Sequence, residues 1–262
     1  MSRSLLDFKK RHDFLVGIDS DGCAFDTMEL KHKECFIPNT INYYELQGIS
    51  KYARKAAEFV NLYSKSRGIN RFPALVESLE WLARRPEVRE RGYEIKVPPG
   101  LARWIKEETK LANPALEKAV ERTGDEDLRQ ALEWSQAVNA SVTAMVRGVP
   151  PFPFVQECLG TLRETCDMLV VSATPGEARE REWDEHDIAQ YVDAICGQET
   201  GTKKESLAVA AQYPANQTLM IGDAPGDYAA AKANQALFFP INPGGEEASW
   251  KRLYEEGRKS VV

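Results

Sequence analysis

Asp19 and Asp21 stand one residue apart directly after the apolar run Phe14 to Ile18, with Ser20 between them and Gly22 behind. Two carboxylates at the carboxyl end of a strand suit a hard cation and a phosphoryl group. Side chains at i and i+2 of a strand point the same way. Because the strand is ending and Gly22 lets the backbone turn, the two acids can take separate roles around one centre. A second acidic pair, Asp223 and Asp227, brackets Ala224-Pro225-Gly226 after the apolar run Leu219-Met220-Ile221 and Gly222. A helix N-cap explains Asp227 and leaves Asp223 unexplained. Magnesium binding through one or two carboxylates uses such a pair.

Two further signals are weaker taken singly. Leu169-Val170-Val171 runs into Ser172-Ala173-Thr174-Pro175, where a hydroxyl at a strand end either donates to a phosphate oxygen or caps the following helix. Gly201-Thr202-Lys203-Lys204-Glu205 has the spacing of a capping box. Lys203 then falls on the first helical residue, where a cation opposes the helix dipole. That placement fits an anion held nearby, or simply two solvated lysines. Lys203 is favoured over Lys204 because Lys204 sits further along the helix.

Five short apolar runs supply the strands these residues follow: Phe14 to Asp19, Met168 to Ser172, Val192 to Cys196, Thr218 to Gly222 and Ala236 to Pro240. Helical segments alternate with the last four, over Glu177 to Gln190, Lys203 to Tyr213 and Asp227 to Asn234, and another precedes the second strand from Phe154 to Thr165. Alternation of this kind predicts crossover units, a parallel sheet and an α/β fold. The stretch between the first strand and Pro150-Pro151-Pro153 reads as almost wholly helical. Helices are expected from near Pro73, after Pro99, from Pro114, and after an Asp125 cap as far as Met145. Residues 1–26 and 148–262 therefore form the α/β core, and residues 27–147 a helical domain inserted into it.

Composition narrows the class. Of 262 residues, 43% are hydrophobic and 28% charged, the balance of a globular chain. A formal net charge of −6 argues against a nucleic-acid partner. No apolar run approaches the ~18 residues of a membrane span, and residues 1–11 are polar and basic, unlike an export signal. Cys23, Cys35, Cys158, Cys166 and Cys196 are scattered and lack CxxC pairing. They read as free thiols in a cytoplasmic protein, with neither a zinc site nor a disulfide frame.

The ordered set Asp19-Ser20-Asp21-Gly22, Asp26-Thr27, Ser172, Lys203, Gly222-Asp223 and Asp227 resembles the haloacid dehalogenase superfamily of aspartate-nucleophile phosphohydrolases. Within it the chain is similar to the phosphoglycolate phosphatase and β-phosphoglucomutase-like branch. The resemblance covers the core; the inserted domain matches only in position and helical character. It implies a Rossmann-like parallel core with an all-helical cap, Mg²⁺ as cofactor and a small phosphorylated metabolite as substrate. No nucleic-acid or membrane partner is implied, and the protein would be a monomer or homodimer.

Residue by residue, the resemblance makes Asp19 the nucleophile and Asp21 the general acid and base. Ser172, Ala173, Lys203 and Gly22 would bind the phosphoryl group. The metal would be held by Asp19, the backbone carbonyl of Asp21 and Asp223, with Asp227 in support. An Asp at position 21 points to phosphate esters, since the dehalogenases and phosphonate-cleaving relatives lack it. Cys23 replaces the commoner Thr or Val, and Ala173 replaces a frequent Asn, removing one hydrogen bond from the pocket. Thiol chemistry at Cys23 has no neighbouring His to support it, and His12, His32 and His186 suggest no triad.

The resulting expectation is a phosphoric monoester hydrolase working through an aspartyl-phosphate on Asp19. A phosphomutase would use the same residues, and a non-catalytic binding protein on the same fold is the remaining alternative. Lys31, His32, Lys33, Arg67 and Arg71 are the candidates for reaching substrate from the insert, with a solvated basic surface as the plainer reading. Tyr43, Tyr44, Tyr52, Phe59, Tyr63, Trp81 and Trp104 are expected in its core.

Overall fold

The computed structural model describes residues 5–172, 176–197 and 200–257. Five strands, β1 (Phe14–Ile18), β2 (Cys166–Val171), β3 (Ala194–Cys196), β4 (Thr218–Gly222) and β5 (Leu237–Pro240), form one all-parallel sheet in the order β3-β2-β1-β4-β5. Central strands of such a sheet are covered on both faces and so read as unbroken apolar runs. In β1, Val16 and Ile18 face one core with Met168 and Val170, while Leu15 faces the other with Leu169 and Val171. Gly17 admits a close neighbour: a Cβ there would lie 2.9 Å from Leu207 and 3.0 Å from Met220.

The helices in chain order are α1 (Thr27–Leu30), α2 (Ile37–Tyr43), α3 (Ser50–Glu58), α4 (Arg71–Arg84), α5 (Pro86–Glu90), α6 (Pro99–Glu107), α7 (Asn113–Thr123), α8 (Glu126–Met145), α9 (Val155–Leu162), α10 (Gly176–Glu185), α11 (Lys203–Ser206), α12 (Pro225–Ala233) and α13 (Glu246–Glu256). The chain divides into two compact units, residues 1–28 with 147–262, and residues 29–146. The first holds the sheet.

The second unit is helical and has its own core, in which Phe72 packs edge-on against Trp104 and Trp134 at centroid distances of 5.2 and 6.3 Å. Asp125 caps α8, its side chain accepting from the N–H groups of Asp127 and Leu128. Among the aromatics, Trp104, Tyr43, Tyr44 and Tyr52 join this core, whereas Phe59, Tyr63 and Trp81 are exposed. Phe59 and Trp81 cover one another at the surface instead, 4.7 Å apart. Arg67 and Arg71 are not solvated. Arg67 is buried and donates to the Leu62 carbonyl at 2.9 Å. Arg71 donates to Ser135 Oγ and Asn139 Oδ1 and lies over the Phe36 ring. His32 stacks on Phe36, and Lys33 pairs with Glu29.

Two helices of the sheet-bearing unit differ from expectation. The segment from Lys203 is one α-turn followed by a 3₁₀ helix, Leu207–Gln212. Leu207, Ala210 and Tyr213 are buried at intervals of three, the spacing that a 3₁₀ turn stacks on one face. The segment from 176 stops at Glu185, because Asp187 turns left-handed with φ 56° and a 3₁₀ turn, Ala189–Tyr191, takes over. All five cysteines are free and buried, and among the described residues no helix is long and apolar enough to cross a membrane.

Candidate active site

Strands β1 and β4 are neighbours, and the Asp19 N–H continues their ladder by donating to the Ile221 carbonyl at 3.0 Å. Their carboxyl ends therefore deliver Asp19 and Asp223 to one place. Asp227 joins them from the first turn of α12. One carboxylate oxygen from each of Asp19, Asp223 and Asp227 lies within 4.8 Å of the others, and all three residues are buried. Gly222 makes the approach feasible, since a Cβ there would fall 2.4 Å from the Cβ of Asp227. Asp227 is not the helix N-cap. Ala224 holds that position, and Asp227 Oδ2 accepts from the Ala224 N–H at 3.0 Å.

Lys203 is the cation of this cluster. Thr202 and Glu205 form the reciprocal capping box that starts α11. The Nζ of Lys203 then reaches Asp19 Oδ1 at 2.9 Å and Asp227 Oδ1 at 2.6 Å. Lys204 is exposed. A lysine at the wrong end of a helix dipole is thus explained by the two acids it meets. Burial alone would pull its ammonium down, yet the charges of Asp19 and Asp227 and their hydrogen bonds outweigh that and hold it well above its ordinary value. Burial, reinforced by the Asp19 charge, pushes the Asp227 carboxyl up to about 6 against the pull of Lys203 and the Ala224 N–H.

Three buried carboxylates this close together repel one another where water screens poorly, and Lys203 pairs with two of them. The donors are all hard oxygens, the set that a divalent cation of the Mg²⁺ or Ca²⁺ type prefers. Both oxygens of Asp227 already accept hydrogen bonds. That arrangement suits Asp227 to orienting the cluster and leaves Asp19 and Asp223 as the stronger candidates for direct ligation. The residues present fit such an ion.

Asp21 lies outside the trio. It is half-buried, and the Thr27 hydroxyl donates to its Oδ1, a partner whose role the sequence did not disclose. Gly22 takes the left-handed conformation, φ 77°, and its N–H closes a turn on the Phe25 carbonyl at 2.8 Å. A side chain would strain that turn. Ser172 is buried at the end of β2, beside β1, its N–H bonded to the Cys196 carbonyl at 2.9 Å. Ala173 lies outside the described residues. Cys23 is fully buried, and its thiol donates to the Ile221 carbonyl at 3.8 Å. Burial first, then the charges of Asp223, Asp19 and Asp227, drive the thiol pKa well up, so it is inert as a nucleophile at neutral pH. None of the three histidines belongs to the acid trio.

A family model described as haloacid dehalogenase-like hydrolase matches residues 100–239, and the chain belongs to that family. No curated protein matches the chain in sequence. Among solved structures, a Bacteroides fragilis protein provisionally described as a haloacid dehalogenase-like hydrolase is 16% identical, with 91% of this chain and 93% of that one covered at a TM-score of 0.50. A Lactobacillus delbrueckii protein, provisionally described as a phosphoglycolate phosphatase, is 16% identical over 87% and 85% of the two chains, with a TM-score of 0.48. A haloacid dehalogenase-like family hydrolase from Xanthomonas campestris is 13% identical over 96% and 97%, at 0.45.

Proposed function

We propose that this protein is a Mg²⁺-dependent phosphatase that hydrolyses a small-molecule phosphate monoester through an aspartyl-phosphate on Asp19. The observation that carries the reading is the acid trio at the ends of β1 and β4, in which Lys203 pairs with the Asp19 carboxylate and with Asp227. Asp19, Asp223 and the carbonyl of Asp21 would hold the ion, with Asp227 in support. Bound Mg²⁺ supplies positive charge that offsets repulsion between a carboxylate and a phosphate dianion.

In the first half-reaction an Asp19 oxygen forms a bond to phosphorus as the bond to the ester oxygen breaks. Asp21, its protonated carboxyl group oriented by the Thr27 hydroxyl, gives its proton to the departing alkoxide and is left as the carboxylate. In the second half, Asp21 takes a proton from water, the water oxygen bonds to phosphorus, and the Asp19 carboxylate is released with inorganic phosphate. Lys203 and Ser172 steady the transferring oxygens. Lys203 also holds Asp19 in place before substrate arrives.

With p-nitrophenyl phosphate and Mg²⁺, Asp19→Asn is expected to lower phosphate release at least about a thousandfold, because one member of a cooperating set carries most of its effect. Release that survives the change discards the mechanism. A screen of phosphorylated metabolites against the wild type then identifies the substrate.

A further inference from the structure

The turn that carries Asp19 and Asp21 is gripped from beneath by two tryptophans that the steps above do not use. Trp183, near the end of α10, and Trp250, in α13, are both fully buried. The Trp183 indole N–H donates to Ser20 Oγ at 3.0 Å, and the Trp250 indole N–H donates to the Cys23 carbonyl at 2.8 Å. Asp21 and Gly22 lie between those two anchor points. Continuing the alternation of β1 past Ile18 puts Ser20 on the side of Val16 and Ile18, toward the core that holds Trp183. Ser20 also donates to Glu182 Oε2 at 3.4 Å, and its carbonyl gathers the N–H groups of Cys23, Ala24 and Phe25. The Phe25 ring meets Trp183 edge-on at 5.8 Å.

A buried indole N–H without an acceptor is costly, so each ring resists any movement of the turn that would break its bond. Reacting groups tolerate only small misplacement before rate is lost. We infer that Trp183 and Trp250 are positioning residues, which act through Ser20 and the Cys23 carbonyl to fix the directions of Asp19 and Asp21. The inference rests on the phosphatase reading of that turn.

Trp183→Phe and Trp250→Phe keep an aromatic ring and remove the N–H. Leu253→Ala is the control, since Leu253 packs against the same core from α13. Two measurements are made on the whole protein: kcat and KM for p-nitrophenyl phosphate with Mg²⁺, and amide hydrogen exchange over residues 19–25. Each Phe variant is expected to lower kcat about tenfold with KM within about twofold, and to speed exchange of that segment about tenfold. Leu253→Ala should lower the melting temperature while leaving both readouts near wild type. Unchanged exchange in the Phe variants overturns the inference, as does a kcat loss that merely tracks melting temperature across all three. Should a Phe variant fail to fold, Ser20→Ala removes the Trp183 acceptor with both indoles retained and is read the same way. A wild type that releases no phosphate overturns the phosphatase reading alone, and exchange then decides the clamp by itself.

Discussion

At the amino end of β2, Asp167 is fully buried and accepts from the Tyr213 hydroxyl at 2.6 Å and from the N–H groups of Arg11 and His12 at 2.9 and 3.0 Å. Asp193 beside it accepts from the Met168 N–H at 2.9 Å and from Arg163 at 3.3 Å, and pairs with Arg11. At the opposite end of the same sheet, Asp19, Asp223 and Asp227 cluster, and Lys203 pairs with Asp19 and Asp227. Burial is similar at both ends, so burial does not separate them. The partners do: Asp167 and Asp193 draw on two arginines, a phenol and backbone N–H groups, whereas Asp19 and Asp227 share one ammonium and lie close to a third carboxylate. Carboxylates crowded on one another in a buried place suit a positive charge from outside.

The sharpest way to break the contrast is to remove an acid from each end. Asp167→Ala leaves the buried Tyr213 hydroxyl and the Arg11 and His12 N–H groups without their acceptor and is expected to cost about 1–3 kcal/mol in urea unfolding. Asp223→Asn in chelated protein should cost less than about 1 kcal/mol, or stabilise, because it relieves repulsion. Equal losses would show the two ends to be equivalent. Mg²⁺ at 100 times its Kd should stabilise the wild type by about 2.7 kcal/mol in the same assay. That gain should vanish in Asp223→Asn.

Acidification distinguishes the ends by sign. Burial would raise the Asp167 carboxyl, but the Tyr213 hydroxyl and then the Arg11 and His12 N–H groups outweigh it and hold it below the ordinary value of 3.8. Its contribution is complete above that value and is lost as pH falls through the lower, folded one. Asp227, pushed up to about 6 in metal-free protein, contributes the reverse: stability present below 3.8 and lost as pH rises through about 6. Melting curves from pH 3 to 8 in chelator, for wild type and Asp227→Asn, measure the difference. The smallest effect expected is at Thr27, where Thr27→Val removes one hydroxyl from Asp21 and should lower kcat roughly tenfold.

The strands were legible because a parallel sheet buried on both faces writes itself as short apolar runs, and the caps at Thr202 and Asp125 are local patterns. The acids following β1 and β4 could be read for the same reason. What stayed hidden depends on partners far apart in the chain. Nothing local to Trp183 or Trp250 announces an indole aimed at residues 20 and 23. Arg71 looked like a loop cation, because the Ser135 and Asn139 groups that bind it lie 64 and 68 residues away. Phe59 and Trp81 occupy core-like positions along their helices but pack on each other at the surface.

The pairing of β1 carries a consequence for biosynthesis. This central strand is made first, yet its two neighbours, entered at Cys166 and Thr218, emerge about 150 and 200 residues later. At ribosomal speeds of 5–20 residues/s, that is a wait of roughly 8–40 s with an apolar segment uncovered. The helical unit has a self-contained core and can fold in the interval. Nascent chains arrested far enough beyond residue 146 for α8 to have cleared the ribosome should already protect that helical unit from protease while residues 14–18 remain open to a chaperone.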